Sequence, residues 1–336
     1  MEDKRTDMRE ISYVEAVNEA LIEEMERDES VFIFGEDIAI GYGGGGMFGA
    51  TRGLVDRFGL DRVIDTPLSE VAIAGAALGA AMVGLRPIAE IMFGDFIAII
   101  MDQLVNNVAK MRWVLNDETD VPIVYRTSYG AGIGAGFHHS QSFEAWLAHV
   151  PGLKVVMPSD PADVKGLLKS SIRDNDPVMF MEHKLLYKRM SGPVPEDEYL
   201  IPLGKGEIKR EGDDISIIAT GAMVRLSLEA ANALEERGVS AEVVDPRTIQ
   251  PLDEELILQS VEKTGRAVVV HEAPVFGGFG GEIAALLADR GIDFLDGPVK
   301  RVGALFTPIP NWIKMEEYYL PSVEKIIDAV REVIAF

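Results

Sequence analysis

DTPLSEVAIAGAALGAAMVGLRPIAEIM, residues 65–92, is the stretch that decides the fold. Pro67 restricts Thr66 to an extended conformation and ends a strand. Ser69 stands where a helix N-cap belongs. From Val71 to Gly84 the side chains are small and apolar with no polar face, which predicts a helix buried on all sides with its backbone close to its neighbours. Pro87–Met92 then reads as a strand. Strand, crossover helix and second strand form the βαβ unit of a parallel sheet.

The same alternation continues outward. Toward the N-terminus, Val31–Phe34 is a buried-strand candidate and Tyr13–Arg27 an amphipathic helix capped by Ser12. Toward the C-terminus, Phe96–Trp113 reads as one long helix. Ile123–Thr127, Lys154–Met157 and Val178–Met181 read as strands, with the helix Asp163–Arg173 between the last two. Met190–Gly204 carries three prolines and no apolar period, and reads as a linker. Beyond it the strands Ile215–Ala219, Ala241–Val244 and Ala267–His271 alternate with the helices Met223–Arg237, Leu252–Thr264 and Phe279–Arg290, and Ser322–Ile334 closes the chain. The fold class is therefore α/β, with two domains at 1–195 and 196–336, each built on a mainly parallel sheet flanked by helices.

Composition narrows the function classes. A chain of 336 residues, 47% apolar and 26% charged, can bury two full cores. It has no cysteine, which excludes disulfides, thiolate metal sites and a cysteine nucleophile, and fits a reducing cytoplasm. No apolar run approaches the roughly 20 residues needed to cross a bilayer, so no membrane is expected. Met1–Glu10 is of mixed charge without an apolar core, so no signal peptide is expected. A net charge of −23 repels phosphate backbones and argues against nucleic acid. It suits either a solvated acidic surface or a basic protein partner.

Several motifs bear on chemistry. Gly41–Gly46 formally matches GxGxxG, but no strand leads directly into it, no helix opens on it and no GK[ST] follows, so it reads as a partly exposed loop. His138 and His139 are adjacent, and in extended backbone they face opposite ways, which suits chelation poorly. They follow the glycine-rich run 130–136, and a loop that delivers an imidazole to a pocket suits acid/base work near neutral pH; a surface histidine pair is the plainer alternative. Spacing alone gives Glu70 the role of a carboxylate complementing a helix dipole. Its apolar neighbourhood argues instead for a desolvated carboxyl that keeps its proton. Glu36 follows the strand Val31–Phe34, at the strand end where parallel sheets bind ligands.

Gly35-Glu36-Asp37, Asp65–Glu70, Met92–Phe96, His139-Ser140-Gln141, Pro151–Val156, Ile172–Pro177, Arg247–Leu252 and His271-Glu272-Ala273 fall in one order along nearly the whole chain. Together they resemble the E1 β subunits of the 2-oxo acid dehydrogenases. The resemblance implies a thiamine-diphosphate pyrimidine-binding domain followed by a transketolase-like C-terminal domain. It also implies the activity: with an α subunit in an α2β2 heterotetramer, decarboxylation of a 2-oxo acid and transfer of the acyl group to the lipoyl group of E2. The E2 peripheral-subunit-binding domain would meet the C-terminal domain.

Residue by residue, the resemblance makes Glu70 the glutamate that donates a proton to the cofactor's aminopyrimidine ring, so that the ring's own amino group becomes a base. Glu36 matches a second glutamate beside it, Phe96 an aromatic against the pyrimidine, and His139 the histidine that assists acyl transfer. Ile123, Ser171, Asp174 and Asp176 match a structural potassium site. The GDG motif and asparagine pair that hold diphosphate and Mg2+ in such enzymes do not occur here, so Mg2+ and diphosphate are expected on the α subunit. Two alternatives stand beside this reading. Glu182–Tyr187 and Ser260–Gly265 also resemble acetoin dehydrogenase β subunits, and a non-catalytic scaffold that docks E2 would share the same surface.

Overall fold

The computed structural model describes residues 7–336; of the N-terminal stretch Met1–Glu10, residues 1–6 lie outside the described residues. The chain forms two compact units. The first takes in the chain up to Ser128 together with Val150–Leu203. The second comprises Tyr129–His149 and Gly204–Phe336. The glycine-rich segment before His139 thus belongs to the second unit, although the sequence division at 195/196 assigns it to the first.

The first unit is built on parallel strands in the order Lys154–Val156, Val178–His183, Val124–Tyr129, Arg86–Phe93, Val31–Gly35, Val63–Asp65. The central strands are buried along nearly their whole length, as sheets covered on both faces require. Tyr13–Arg27 packs against the helix Pro161–Arg173. Its start is fixed by a capping box: Ser12 accepts from the Glu15 backbone N–H, and Glu15 reaches back to the Ser12 N–H. The stretch read as a linker contains a strand, Ser191–Pro195, paired antiparallel with Met8–Ser12. Its prolines fit because the ribbon has only two strands and therefore two edges.

The second unit has its own sheet, ordered Lys300–Ala304, Ala267–Pro274, Ile215–Ala219, Ala241–Asp245, Glu207–Arg210, parallel except for the last strand. The helices Met223–Glu235, Glu254–Thr264, Gly280–Arg290 and Val323–Ile334 complete the expected alternation. Both units are therefore α/β with mainly parallel sheets. No described helix is long and apolar enough to cross a membrane.

Two expectations in the first unit need correction. The helix Glu70–Met82 is not buried on all sides: Ile73, Ala74, Ala77 and Ala81 face inward, while Val71, Ala72, Ala76, Gly79 and Met82 are exposed. Phe96–Trp113 is not one continuous helix. It runs as a 3-10 turn, an α-helical turn, a π-helical stretch at Gln103–Asn107, a second 3-10 turn and a final α turn at Met111–Val114. At the π stretch Asp102 accepts from the side chains of Asn106 and Asn107, bonds that compete with regular helix. A Cβ on Gly75 would lie 3.6 Å from Gln103 Oε1, so the small residues of Glu70–Met82 let this broken helix pack closely.

Candidate active site

Strand register brings the predicted carboxylates of the first unit to one edge. Gly35 is paired with Asp65 on one side and Glu90 on the other, and all three strands point the same way. Glu36 and the Thr66–Glu70 loop therefore leave the sheet side by side, at the carboxyl ends where α/β sheets bind ligands. Two contacts tie the loops together. The Thr66 N–H donates to Gly35 O at 2.9 Å, and the Asp65 carboxylate accepts the N–H groups of Ala39 and Ile40 at 2.6 and 3.0 Å. Asp37, with φ 57°, turns the chain directly after Glu36.

Glu36 is only 3% exposed. Its Oε1 has no hydrogen-bond partner. Burial pushes its carboxyl above the ordinary range, and the negative charge of Glu70 adds to the shift, while the Ser69 backbone N–H donates to it and opposes. Glu70 is half-buried and opens the helix Glu70–Met82. Ser69 does not cap that helix through its side chain, contrary to expectation: its hydroxyl donates to Pro67 O at 3.1 Å. Its backbone faces Glu36 instead. Phe96 is half-buried beyond the next strand, edge-on to Phe93 with ring centroids 5.7 Å apart.

This donor set fits a heteroaromatic ring carrying both ring nitrogens and an amino group. An unpartnered buried carboxyl oxygen, a second carboxyl at the rim and an aromatic edge lie on consecutive loops of one sheet edge.

His139 belongs to the second unit. The run before it alternates glycines at 130, 132, 134 and 136, and all four adopt left-handed φ, between 73° and 102°. Only glycine takes that conformation at no steric cost. The His139 N–H closes a turn onto Gly136 O at 3.2 Å, and its side chain is partly buried. His138 is exposed and lies against Phe137. The Gly41–Gly46 motif folds as a short turn with Tyr42 in left-handed backbone, and Gly45 and Gly46 line a small cavity beside Glu90 and Arg126.

The residues matched to potassium gather around the end of the helix Pro161–Arg173. Ile123 O accepts the Val178 N–H at 2.8 Å and Ser171 O accepts the Asp174 N–H at 3.3 Å. The carboxylates are engaged by cations of the chain itself. Lys154 Nζ lies 2.7 Å from both Asp174 oxygens and 2.9 Å from Asp176, and Arg112 also bonds Asp176. Burial opposes ionisation of Asp176, but Lys154 and Arg112 hold it below its usual range.

Sequence reasoning missed a buried charge network in the first unit. Arg126, 2% exposed, donates two bonds to Glu182 at 2.7 and 2.8 Å and one to Glu90 at 2.7 Å, and Tyr187 OH donates to Glu182 at 2.7 Å. The available signal was a charged residue inside the strand Val124–Tyr129, which is otherwise buried along its whole length. In the second unit Glu144, Glu272 and Glu316 are buried carboxylates, with no spacing between them that a sequence could advertise.

The chain matches two family models, the transketolase pyrimidine-binding domain over residues 9–190 and the transketolase C-terminal domain over residues 204–326. It is 49% identical over 335 residues to the β subunit of acetoin:2,6-dichlorophenolindophenol oxidoreductase of Bacillus subtilis, covering 97% of this chain and 98% of that protein. It is 47% identical to the β subunit of 2-oxoisovalerate dehydrogenase and 46% identical to the β subunit of the pyruvate dehydrogenase E1 component from the same organism, in each case over 98% of this chain and 100% of the relative. Among solved structures it superposes on a split-gene transketolase, described as an inactive β4 tetramer, with a TM-score of 0.78 and 25% identity over 97% of this chain and 99% of that one. Near-full-length identity at this level, on a transketolase-like fold, makes the chain a member of the family of E1 β subunits of the 2-oxo acid and acetoin dehydrogenases.

Proposed function

We propose that this chain, paired with an α subunit in an α2β2 heterotetramer, decarboxylates a 2-oxo acid and passes the acyl group to the lipoyl group of an E2 acyltransferase. The observation that carries the reading is Glu36: a buried carboxyl with an unpartnered oxygen, next to Glu70, at the carboxyl edge of a parallel sheet. Bound thiamine diphosphate supplies the carbon nucleophile and the electron sink for decarboxylation. Glu70 would hold a proton on its carboxyl and donate it to the aminopyrimidine ring. Glu36 would stand beside it as the second carboxyl of the site. Phe96 would offer its ring to the pyrimidine. His139 would act in acyl transfer, as an imidazole able to move a proton near neutral pH.

Diphosphate and Mg2+ fall to the α subunit in this reading, and cytoplasmic residence suits a chain without cysteine. The functional division at 195/196 belongs to the same proposal. So does a potassium ion at Ile123, Ser171, Asp174 and Asp176, which backbone carbonyls would chiefly hold because Lys154 already neutralises the carboxylates.

The test is reconstitution with the α subunit and assay of the Glu70→Gln variant. Turnover should fall at least about 100-fold, the scale of losing a catalytic proton donor. Undiminished turnover removes Glu70 from the chemistry, and a scaffold that only docks E2 then becomes the better account. Acetoin as substrate is the second reading, favoured by the 49% identity to an acetoin enzyme's subunit. A panel of pyruvate, branched 2-oxo acids and acetoin on the reconstituted complex separates the two.

A further inference from the structure

The loop that carries His139 is fastened by two carboxylates from distant parts of the second unit. Glu272 lies in the buried strand Ala267–Pro274, and its Oε1 accepts from the Ala131 N–H at 2.7 Å and from Ser142 Oγ at 3.3 Å. One carboxylate oxygen thus joins the outgoing leg of the loop to the returning leg. Glu316 comes from the helix Ile313–Tyr319 and is fully buried. Its Oε2 accepts the N–H groups of Gly132 and Gly134, at 3.0 and 2.9 Å. Three backbone N–H groups of one four-residue stretch therefore converge on two carboxylates.

The glycines explain how. Left-handed residues at 130, 132, 134 and 136 alternate with ordinary ones, which turns neighbouring N–H groups toward the same side. Such a concavity binds anions. Here the chain itself supplies the acceptors, and these bonds add to the packing of Ala131 against Ala304, Ile309 and Tyr319. Phe137, His138 and the stretch Ser140–Phe143, which flank His139, line a cavity of about 500 Å³ whose other walls include Glu272, Phe276, Phe306 and Tyr319. The loop's conformation therefore shapes that cavity and sets where His139 leaves the turn.

We propose that Glu272 and Glu316 are positioning residues for His139, acting through the backbone of residues 131–134, and that they govern acyl transfer rather than decarboxylation. This rests on the role given to His139 above. In that transfer the acyl unit gives up two electrons to the lipoyl S–S bond, which breaks; one sulfur bonds the acyl carbon, the bond from that carbon to its carrier then breaks, and the other sulfur leaves as a thiolate that needs a proton. An imidazole can deliver that proton only from a fixed place. Displacing it by about 1 Å is enough to cost up to ~100-fold.

The experiment uses the reconstituted α/β complex with Glu316→Ala, Glu316→Gln, Glu272→Ala and the milder Ser142→Ala. Three quantities are read: substrate-dependent reduction of an artificial dye, acylation of a free lipoyl domain, and amide hydrogen exchange across residues 130–143. Both alanine variants should slow lipoyl acylation about 10- to 100-fold, leave dye reduction within about twofold, and speed exchange at residues 131–134 while the strand Ile215–Ala219 stays protected. Glu316→Gln keeps an oxygen able to accept both N–H groups and should restore most of the acylation rate. Ser142→Ala should give a smaller loss, since it removes one bond. Unchanged exchange in the alanine variants overturns the clamp. Faster exchange with undiminished acylation overturns its link to catalysis. The His139→Ala control separates the two layers: if it acylates normally, the role of His139 and the catalytic half of this proposal fall together, while exchange alone still decides whether the carboxylates hold the loop.

Discussion

Two pairs of glutamates share the sheet of the first unit, and their surroundings differ in one respect. Glu90 and Glu182 flank Arg126, which bonds both. Glu36 and Glu70 have no such partner, and among the described residues no ion pair reaches either of them. Burial raises both Glu90 and Glu36, yet Arg126 pulls Glu90 back down while only a backbone N–H does so for Glu36. The first pair therefore shares one fixed guanidinium, which offsets part of its charge. The second has no cation beside it among the described residues, and burial with the nearby Glu70 charge raises Glu36. We read the first pair as structural and, on the function proposed above, the second as chemical.

The largest effect expected from breaking this contrast is Arg126→Met. It leaves two buried carboxylates facing each other without their cation, at a cost of about 3–5 kcal/mol. Denaturant unfolding of the chain measures it, and a loss below about 1 kcal/mol would show that Arg126 is not the neutralising group. Glu70→Gln should do the opposite. Its activity loss, at least about 100-fold, should come with a stability change within about 0.5 kcal/mol, because a half-exposed side chain outside any ion pair is altered. If the two variants produced the same mixture of lost stability and lost turnover, the division into structural and chemical pairs would fail.

The two units also differ in how burial moves protons. In the second unit burial raises Glu144 to about 7, its own backbone N–H opposing and Glu272 adding. Burial lowers His271 to about 4. Its imidazole is boxed in so tightly that a Cβ on Gly278 or Gly280 would lie 2.3 or 2.6 Å from it. The signs are opposed. Glu144 binds its proton more tightly when folded, so its contribution is full below about 4.5 and is lost as pH rises through about 7. His271 binds its proton less tightly when folded, so its contribution is full above about 6.5 and is lost as pH falls through about 4. Each is worth up to about 3 kcal/mol, and between pH 4.5 and 6.5 they nearly cancel. Glu144→Gln should therefore expose the histidine slope, so that the variant loses stability relative to the parent on acidification from pH 6.5 to 4.5. Thermal unfolding at both values checks it, and parallel pH trends for variant and parent would sink it.

What could be read in the sequence follows from what is local. The strand Val31–Gly35, the helix Tyr13–Arg27 and most of the second unit's elements show in periodicity, caps and prolines, which act over a few residues. Glu36 and Glu70 stand out as carboxylates at a strand end and a helix start, which are also local marks. The convergence of Glu272 and Glu316 on one loop joins residues 141 and 184 positions apart, and nothing in either neighbourhood announces it. Ser191–Pro195 was hidden for a different reason: its prolines suppress the strand signal, yet they are tolerated in a two-stranded ribbon. The break at Gln103–Asn107 leaves no proline or glycine mark, because it coincides with side-chain bonds to Asp102.

The smallest expected effect separates two serines that a sequence reads alike. Ser12 and Ser69 each precede a helix. Ser12 accepts from Glu15 N and completes a capping box, so Ser12→Ala should cost about 1 kcal/mol. Ser69 aims its hydroxyl at Pro67 O and serves Glu36 through its backbone N–H, which alanine retains. Ser69→Ala should therefore change stability by less than about 0.5 kcal/mol and leave turnover of the reconstituted enzyme within about twofold. A loss from Ser69→Ala as large as that from Ser12→Ala would mean that its hydroxyl does cap the helix in solution. The loop that sets Glu36 against Glu70 would then be held by the side chain rather than by the backbone.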